Sequence, residues 1–232
     1  MQLVRDQAWN LDHGMPIGPQ LHRILRERIV RNDLASGSKI SESEIAKSYS
    51  ISRQPVREAF IKLSEEGLIS IRPQRGTIVR KIDPVAVHDA RFVREAIESD
   101  IVKLLAERSD PVVVQELRAQ LVEQERVAQD NPHRFIQLDE RFHRTLAEAA
   151  DKASAWRFVE GLKSQMDRVR FLSFSLFPTI KLIAQHQNIV DCIETGDVGQ
   201  AEISIRVHLR EILTDLPEIE AANPEFFSQA QK

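Results

Sequence analysis

Cysteine is nearly absent from this chain: Cys192 is the single thiol in 232 residues. One thiol excludes an intrachain disulfide and fits a reducing compartment. Glycine is scarce at 8 residues and tyrosine occurs once, a composition that argues against low-complexity disorder and for a helix-rich globular protein. No apolar run approaches the roughly 18 to 20 residues of a membrane span. The first residues, MQLVRDQAWNLDHG, carry no signal-peptide apolar core. These absences together place the chain in the cytoplasm.

What is present is enough for two cores. Apolar residues make up 42% and charged residues 29% of the sequence, and ordinary domains run to roughly 100–200 residues. The formal charge of −3 conceals an uneven distribution. Residues 17–81 carry 13 Lys and Arg against 7 Asp and Glu, whereas residues 82–232 carry 18 against 26. A basic first third suits contact with a polyanion, and the acidic remainder does not.

The punctuation of the first third predicts a specific order of elements. After an arm over residues 1–16, Ile17, Leu21, Ile24, Leu25 and Ile29 follow the 3.6-residue period of an amphipathic helix that ends near Asn32 and Asp33. Ser41 and Glu44 form a capping-box pattern that opens a short second helix. Ser52 is placed to cap a third, and Pro55 is tolerated in its first turn because N–H groups there have no intrahelical partner. Val56, Ala59, Phe60 and Leu63 give this helix a buried face, and Gly67 supplies a left-handed exit. Two β-like runs, 69–71 and 77–79, flank Arg72, Pro73, Gln74, Arg75 and Gly76 and read as a hairpin. Helix, helix, turn, helix and hairpin within residues 17–81 make a winged helix-turn-helix.

Beyond residue 82, Asp83–Pro84, Asp110–Pro111 and Asn131–Pro132 each pair a capping residue with a proline suited to the first helical position. Six helices are predicted, at 84–108, 111–129, 132–150, 152–175, 178–195 and 197–214, packed as one bundle over residues 82–215. Residues 216–232 are predicted to be a loosely held tail. The fold class is therefore mainly α.

Two constellations carry chemistry. Arg53 and Arg57 lie one turn apart at the start of the third helix, the part of a helix-turn-helix that enters the major groove. An arginine fork suits guanine O6 and N7 or a phosphate, and the amide of Gln54 suits adenine. In the bundle, Asp139 and His143 are four residues apart and point the same way, while His186 and His208 share the apolar faces of two later helices. Taken singly, each histidine reads more readily as a hydrogen-bonded core residue. Taken together, four buried ionisable groups need partners, and a divalent ion such as zinc or nickel satisfies all of them while leaving room for an exogenous ligand.

The stretch LHRILRERIVRNDLASGSKISESEIAKSYSISRQPVREAFIKLSEEGLISIRPQRGTIV resembles the winged helix of the GntR family of bacterial transcription regulators, in its FadR-type branch. The resemblance implies that Ser43, Arg53, Gln54 and Arg57 contact DNA, with Arg75 and Gly76 at the wing tip. Asn32, Asp33 and Ser36 stand where Gly and Pro are usual, and Ser43 where some members carry arginine. Residues 84–214 resemble the branch's C-terminal domain, which implies that Asp139, His143, His186 and His208 are the metal ligands. His13, His22, His88 and His133 match no ligand position and are expected at the surface. The resemblance also places Arg94 where relatives hold an effector carboxylate beside the metal; pairing with Glu98 at i,i+4 is the other use the spacing offers.

The reading that follows is a homodimeric, ligand-responsive regulator, a repressor, that binds a two-fold operator and senses a small organic or sugar acid. Two rivals fit the same residues: a metal-dependent hydrolase fused to a DNA-binding domain, and a constitutive DNA binder with a purely structural metal. Four protein ligands without a further general base speak against the hydrolase.

Overall fold

A computed structural model describes residues 9–72, 74, 76–128 and 131–229. Among them are ten α-helices and three short strands, so the protein is mainly α. The chain divides into two compact units: the segment up to Asp83 together with the residues from Pro224 onward, and Pro84–Asn223.

In the first unit, α1 (Ile17–Val30), α2 (Glu42–Tyr49) and α3 (Arg53–Glu65) enclose a core of Leu21, Leu25, Ile29, Val56, Phe60 and Leu63, all fully buried. Asn32 adopts a positive φ of 62°, and its side chain accepts a hydrogen bond from the Ser36 N–H at 3.1 Å. Asparagine tolerates that conformation and closes the turn locally, which is how this chain does without glycine there. Gly67, at φ 71°, ends α3 in the left-handed conformation. The expected capping bonds of Ser41 and Ser52 are not formed: neither side chain caps its helix, and the Ser41 hydroxyl instead lies 2.7 Å from that of Ser43.

Strands β2 (Ile69–Arg72) and β3 (Gly76–Val79) form the wing hairpin, with Ile69 opposite Val79. A third strand, β1 (Lys39–Ile40), pairs antiparallel with β3 and extends the sheet in the order β1-β3-β2. Two residues are too few to show any period, which is why the sequence signals only a hairpin.

Of the residues expected to form an arm, the described ones, 9–16, are held in place. Trp9 is buried beneath the Arg31 guanidinium at 5.2 Å, and Gln20 ties down the Asp12 backbone with bonds of 2.9 Å in both directions. Residues 216–229 also depart from the expected loose tail. The last helix continues through Pro217 to Ala222 because Leu216 and Ile219 are buried on either side of the missing N–H. Further on, the Ile82 N–H donates to the Phe226 carbonyl and the Ser228 N–H to that of Ile82, both at 2.8 Å, with Phe227 buried.

The second unit is a helical bundle of α4 (Pro84–Arg108), α5 (Pro111–Val127), α6 (Pro132–Ala149), α7 (Ala153–Leu162), α8 (Ser164–Ser173), α9 (Ile180–Thr195) and α10 (Val198–Ala222). Asp110, Asn131 and Asp197 cap α5, α6 and α10 by accepting backbone N–H bonds at 2.8–2.9 Å. Val102, Leu117, Phe142, Ile189, Ile193 and Ile205 fill one core. The single helix expected over 152–175 is two, broken at Lys163, where ψ is 1°. Gly161 lies two residues before it, a weak helix position that does not by itself end a helix. The break accompanies burial of the Lys163 ammonium, which lies 2.7 Å from Asp167 and 3.5 Å from Glu140. Helix α8 is consequently buried on most sides although it carries Asp167, Arg168 and Arg170.

Candidate metal centre and nucleic-acid interface

In the first unit, Ser50 at φ 55° turns the chain between α2 and α3, and Val56, Ala59 and Phe60 anchor α3 to the core. That packing leaves Arg53, Gln54 and Arg57 exposed on the opposite face. The Gln54 amide donates to Glu58 at 3.0 Å, so it is held along the helix. Ser43 is exposed on α2. Gly76 is exposed at φ 89° with open space around its Cα, as a wing turn requires. Arg75, expected beside it at the tip, lies outside the described residues. The geometry therefore gathers two fork-shaped cations and an amide at the N-terminal turn of an outward-facing helix, a surface shaped for groove edges and phosphates.

In the second unit, α6, α9 and α10 bring Asp139, His143, His186 and His208 together, all buried, with one donor atom from each inside a 4.8 Å span. His208 Nε2 lies 3.1 Å from His143 Nε2 and 3.2 Å from His186 Nε2, and His186 Nε2 lies 3.5 Å from Asp139 Oδ1. Donors around a tetrahedral ion with bonds of about 2.0 Å are about 3.3 Å apart, so these spacings fit one metal ion. The chemistry fits as well. Three ring nitrogens and a carboxylate oxygen aimed at one another in a buried core cannot all be satisfied by sharing protons, whereas a cation satisfies every one. Phe142 stacks on His186 with ring centroids 4.3 Å apart, and Trp156 lies parallel to His143 at 6.2 Å, which fixes the ring planes.

The surroundings set the charge states. Burial opposes ionisation of Asp139, but Arg170, at 3.1 Å, together with His143, His186 and Arg94 holds its carboxyl well below the usual range. Burial lowers the His186 imidazole to about 3 against the pull of Asp139. Burial, then His186 and His143, push His208 far down as well. Two neutral imidazoles beside an ionised carboxylate are the forms that bind metal. Arg94 is buried and pairs with Glu98, Nε to Oε1 at 2.6 Å. Burial raises the Glu98 carboxyl, yet Arg94 and His143 bring it down to about 2. Glu98 Oε2 also lies 2.6 Å from His143 Nδ1, so one carboxylate touches both Arg94 and a ring of the cluster.

These shifts predict how the metal-free protein responds to acid. Unfolded histidines take up a proton below about 6.5, while His186 and His208 in the fold do not. Unfolded Glu98 and Asp139 protonate near 4 while their folded forms stay ionised. Both effects remove stability as pH falls, the histidines first. Between pH 7 and 5 His186 is expected to cost about 2 kcal/mol, and His208 acts in the same direction. Thermal melts of chelator-treated protein should show the bundle's melting temperature falling over that range; a flat profile would mean that the two rings are not held neutral.

Several site residues escape sequence reasoning. Arg170, Gln124 and Gln185 touch the cluster, and Glu98 does more than pair with Arg94. Gln124 had a signal: it interrupts the stripe of Val114, Leu117 and Leu121 on α5, and a polar residue on an apolar stripe needs a partner. Of the remaining histidines, His13 and His88 are exposed. His22 is half-buried rather than free at the surface, 2.6 Å from Glu66. The His133 side chain lies outside the described residues.

A winged helix with exposed arginines on its third helix, carried on the same chain as a helical bundle with a buried Asp/His cluster that could hold a metal, defines a class of two-domain DNA-binding regulators. Residues 19–79 match the family model for "Bacterial regulatory proteins, gntR family", and residues 89–211 match the FCD domain. The chain belongs to the GntR family, as a DNA-binding transcription regulator with an FCD domain. It is similar to the HTH-type transcriptional repressor RspR of Escherichia coli K12, 38% identical over 94% of this chain and 97% of that one. It is also similar to a probable D-xylose utilization operon transcriptional repressor of Paenarthrobacter nicotinovorans, 29% identical over 83% of this chain and 85% of that one. The fold matches the solved structure of E. coli McbR/YncC with a TM-score of 0.74 at 16% identity, covering 88% of this chain and 98% of that one. No described helix is long and apolar enough to cross a membrane.

Proposed function

We propose that this protein is a cytoplasmic, homodimeric repressor whose bundle holds a zinc ion through Asp139, His143, His186 and His208 and binds a small organic or sugar acid beside it. The observation that carries this reading is the donor set itself, three imidazoles and one carboxylate at spacings a single ion fits. Three nitrogens and one oxygen suit zinc, with nickel the next candidate. When bound, the ion supplies a positive charge that attracts an anion. Two curated relatives bear repressor names, which favours that sign of regulation. No catalytic residue is assigned.

On the DNA side, Ser43, Arg53, Gln54, Arg57, Arg75 and Gly76 are the proposed contacts, used twice across a two-fold operator. On the effector side, Arg94 and Arg170 are both close enough to Asp139, His186 and His208 to shift their ionisation, so the centre lies in a positive field. Glu98 occupies Arg94. An incoming carboxylate therefore competes with Glu98 for that guanidinium, and effector arrival acts on the same carboxylate that faces His143. Signal transfer to DNA requires the acid to bind one dimer geometry better than the other.

Arg94→Ala is expected to weaken binding of such an acid by roughly tenfold or more, the value of a charge-assisted bond. Metal content at saturating ion should be unchanged because, among the described residues, Arg94 hydrogen-bonds to Glu98 and to none of the four cluster side chains, and Glu98 remains to face His143. Calorimetry on wild type and variant, using an acid found by thermal-shift screening, measures it. Equal affinities would remove Arg94 from the effector site. If no acid raises the melting temperature of metal-loaded protein, the metal is structural and the sensor reading fails.

A further inference from the structure

The three ligand histidines present the same ring nitrogen to the centre, and the groups behind them explain why. His186 Nδ1 faces Gln124 Oε1 at 2.9 Å, and His208 Nδ1 faces Gln185 Oε1 at 3.0 Å. A carboxamide can offer either its oxygen or its NH2 to such a ring, so the contacts alone leave the proton unplaced. The other end of each amide places it. Gln124 is fully buried, and its NH2 donates to the Leu138 carbonyl at 3.3 Å, a group that can only accept. The Gln185 NH2 donates to Glu211 Oε2 at 2.8 Å, and Glu211 is in turn paired with Lys181 through Oε1. With each NH2 committed outward, each Oε1 is what remains for the ring, and the ring nitrogen facing it must carry the hydrogen.

We propose that Gln124 and Gln185 are positioning residues: their amides, locked by Leu138 and Glu211, fix His186 and His208 as Nδ1–H tautomers and turn both Nε2 lone pairs into the centre that they share with Asp139 and His143. The use of those lone pairs rests on the metal reading above, but the tautomers are a property of the metal-free protein. Glu98, held by Arg94, stands in the same place behind His143. Two of the rings are thereby supplied with hydrogen-bond acceptors from different helices, α5 behind His186 and α9 behind His208, while α4 places a carboxylate in ion-pair contact behind His143. A buried imidazole without such an acceptor is free to put its proton on Nε2, which would turn a ligand into a donor pointing at its neighbours.

The test uses full-length protein labelled with 15N in histidine. Long-range 1H–15N correlation spectra of the chelator-treated wild type should show His186 and His208 protonated at Nδ1 and bare at Nε2. Gln124→Met and Gln185→Met keep the length of the side chain and remove the acceptor. Each is expected to lose the pure Nδ1–H pattern at its own histidine only, and to bind zinc roughly ten- to a hundredfold more weakly in competition with a chromophoric chelator. Gln124→Glu retains an acceptor and should keep the tautomer. A wild type with the proton on Nε2 of either ring would overturn the proposal whatever the variants do, as would methionine variants with unchanged tautomers. If the tautomers behave as stated but the wild type takes up no zinc, the positioning role stands and the metal reading falls.

Discussion

Replacing Arg53 and Arg57 together by alanine is expected to abolish specific DNA binding while leaving the protein folded. Each arginine that reads a base or clamps a phosphate contributes about 1–3 kcal/mol, so the pair should cost roughly a hundredfold or more in affinity. Both side chains are exposed on the face of α3 opposite Val56, Ala59 and Phe60, and their removal leaves the core untouched. The single variants divide the labour. A base-reading arginine relaxes specificity at one position, whereas a phosphate-binding one weakens all sequences alike and flattens the dependence on salt. Fluorescence anisotropy with duplexes selected by the wild type from a random pool, at matched ionic strength, measures both effects. Isotherms of the double variant that overlay those of the wild type would remove α3 from the interface.

The second large effect is expected in the bundle. Purified wild type should carry about one divalent ion per chain, and His143→Ala with His208→Ala should carry almost none. An ion present at a thousandfold excess over its dissociation constant stabilises the native state by about 4 kcal/mol. Chelator should therefore lower the melting temperature of the wild type by several degrees and leave the double variant unmoved. The variant also removes two buried rings that face one another at 3.1 Å, so its melting temperature before chelation is a separate, lower baseline. Elemental analysis paired with melts reads both quantities. Full occupancy in the double variant would exclude these residues as ligands.

Much of this molecule is legible in its sequence because the signals are local. The periods of α1 and α3, the glycine after α3, and the Asp–Pro and Asn–Pro starts of the bundle helices all act within a few residues, and they appear where the pattern places them. The gathering of the four buried residues is legible for a related reason: Asp139 and His143 are one turn apart, and His186 and His208 sit on stripes that must face inward. What the sequence conceals is set by contacts distant along the chain. The helix breaks at Lys163, where Gly161 gives only a weak local signal and Glu140 from another helix supplies a partner. Strand β1 exists because β3 offers an edge, and α10 passes Pro217 because Leu216 and Ile219 are buried. The amides behind His186 and His208 are joined to their rings across 62 and 23 residues of sequence. Spacing cannot reveal that, although a glutamine on an apolar stripe marks where to look.

The account stands or falls on whether one acid acts on both units. The decisive measurement is a titration of metal-loaded wild type on its selected duplex with each organic acid that raises the bundle's melting temperature. The expected result is a change in DNA affinity of tenfold or more for at least one acid, lost in Arg94→Ala and lost again when chelator removes the metal. DNA isotherms that stay superimposed with every such acid would contradict it, leaving a DNA-binding protein whose metal-bearing bundle does not govern its grip on DNA.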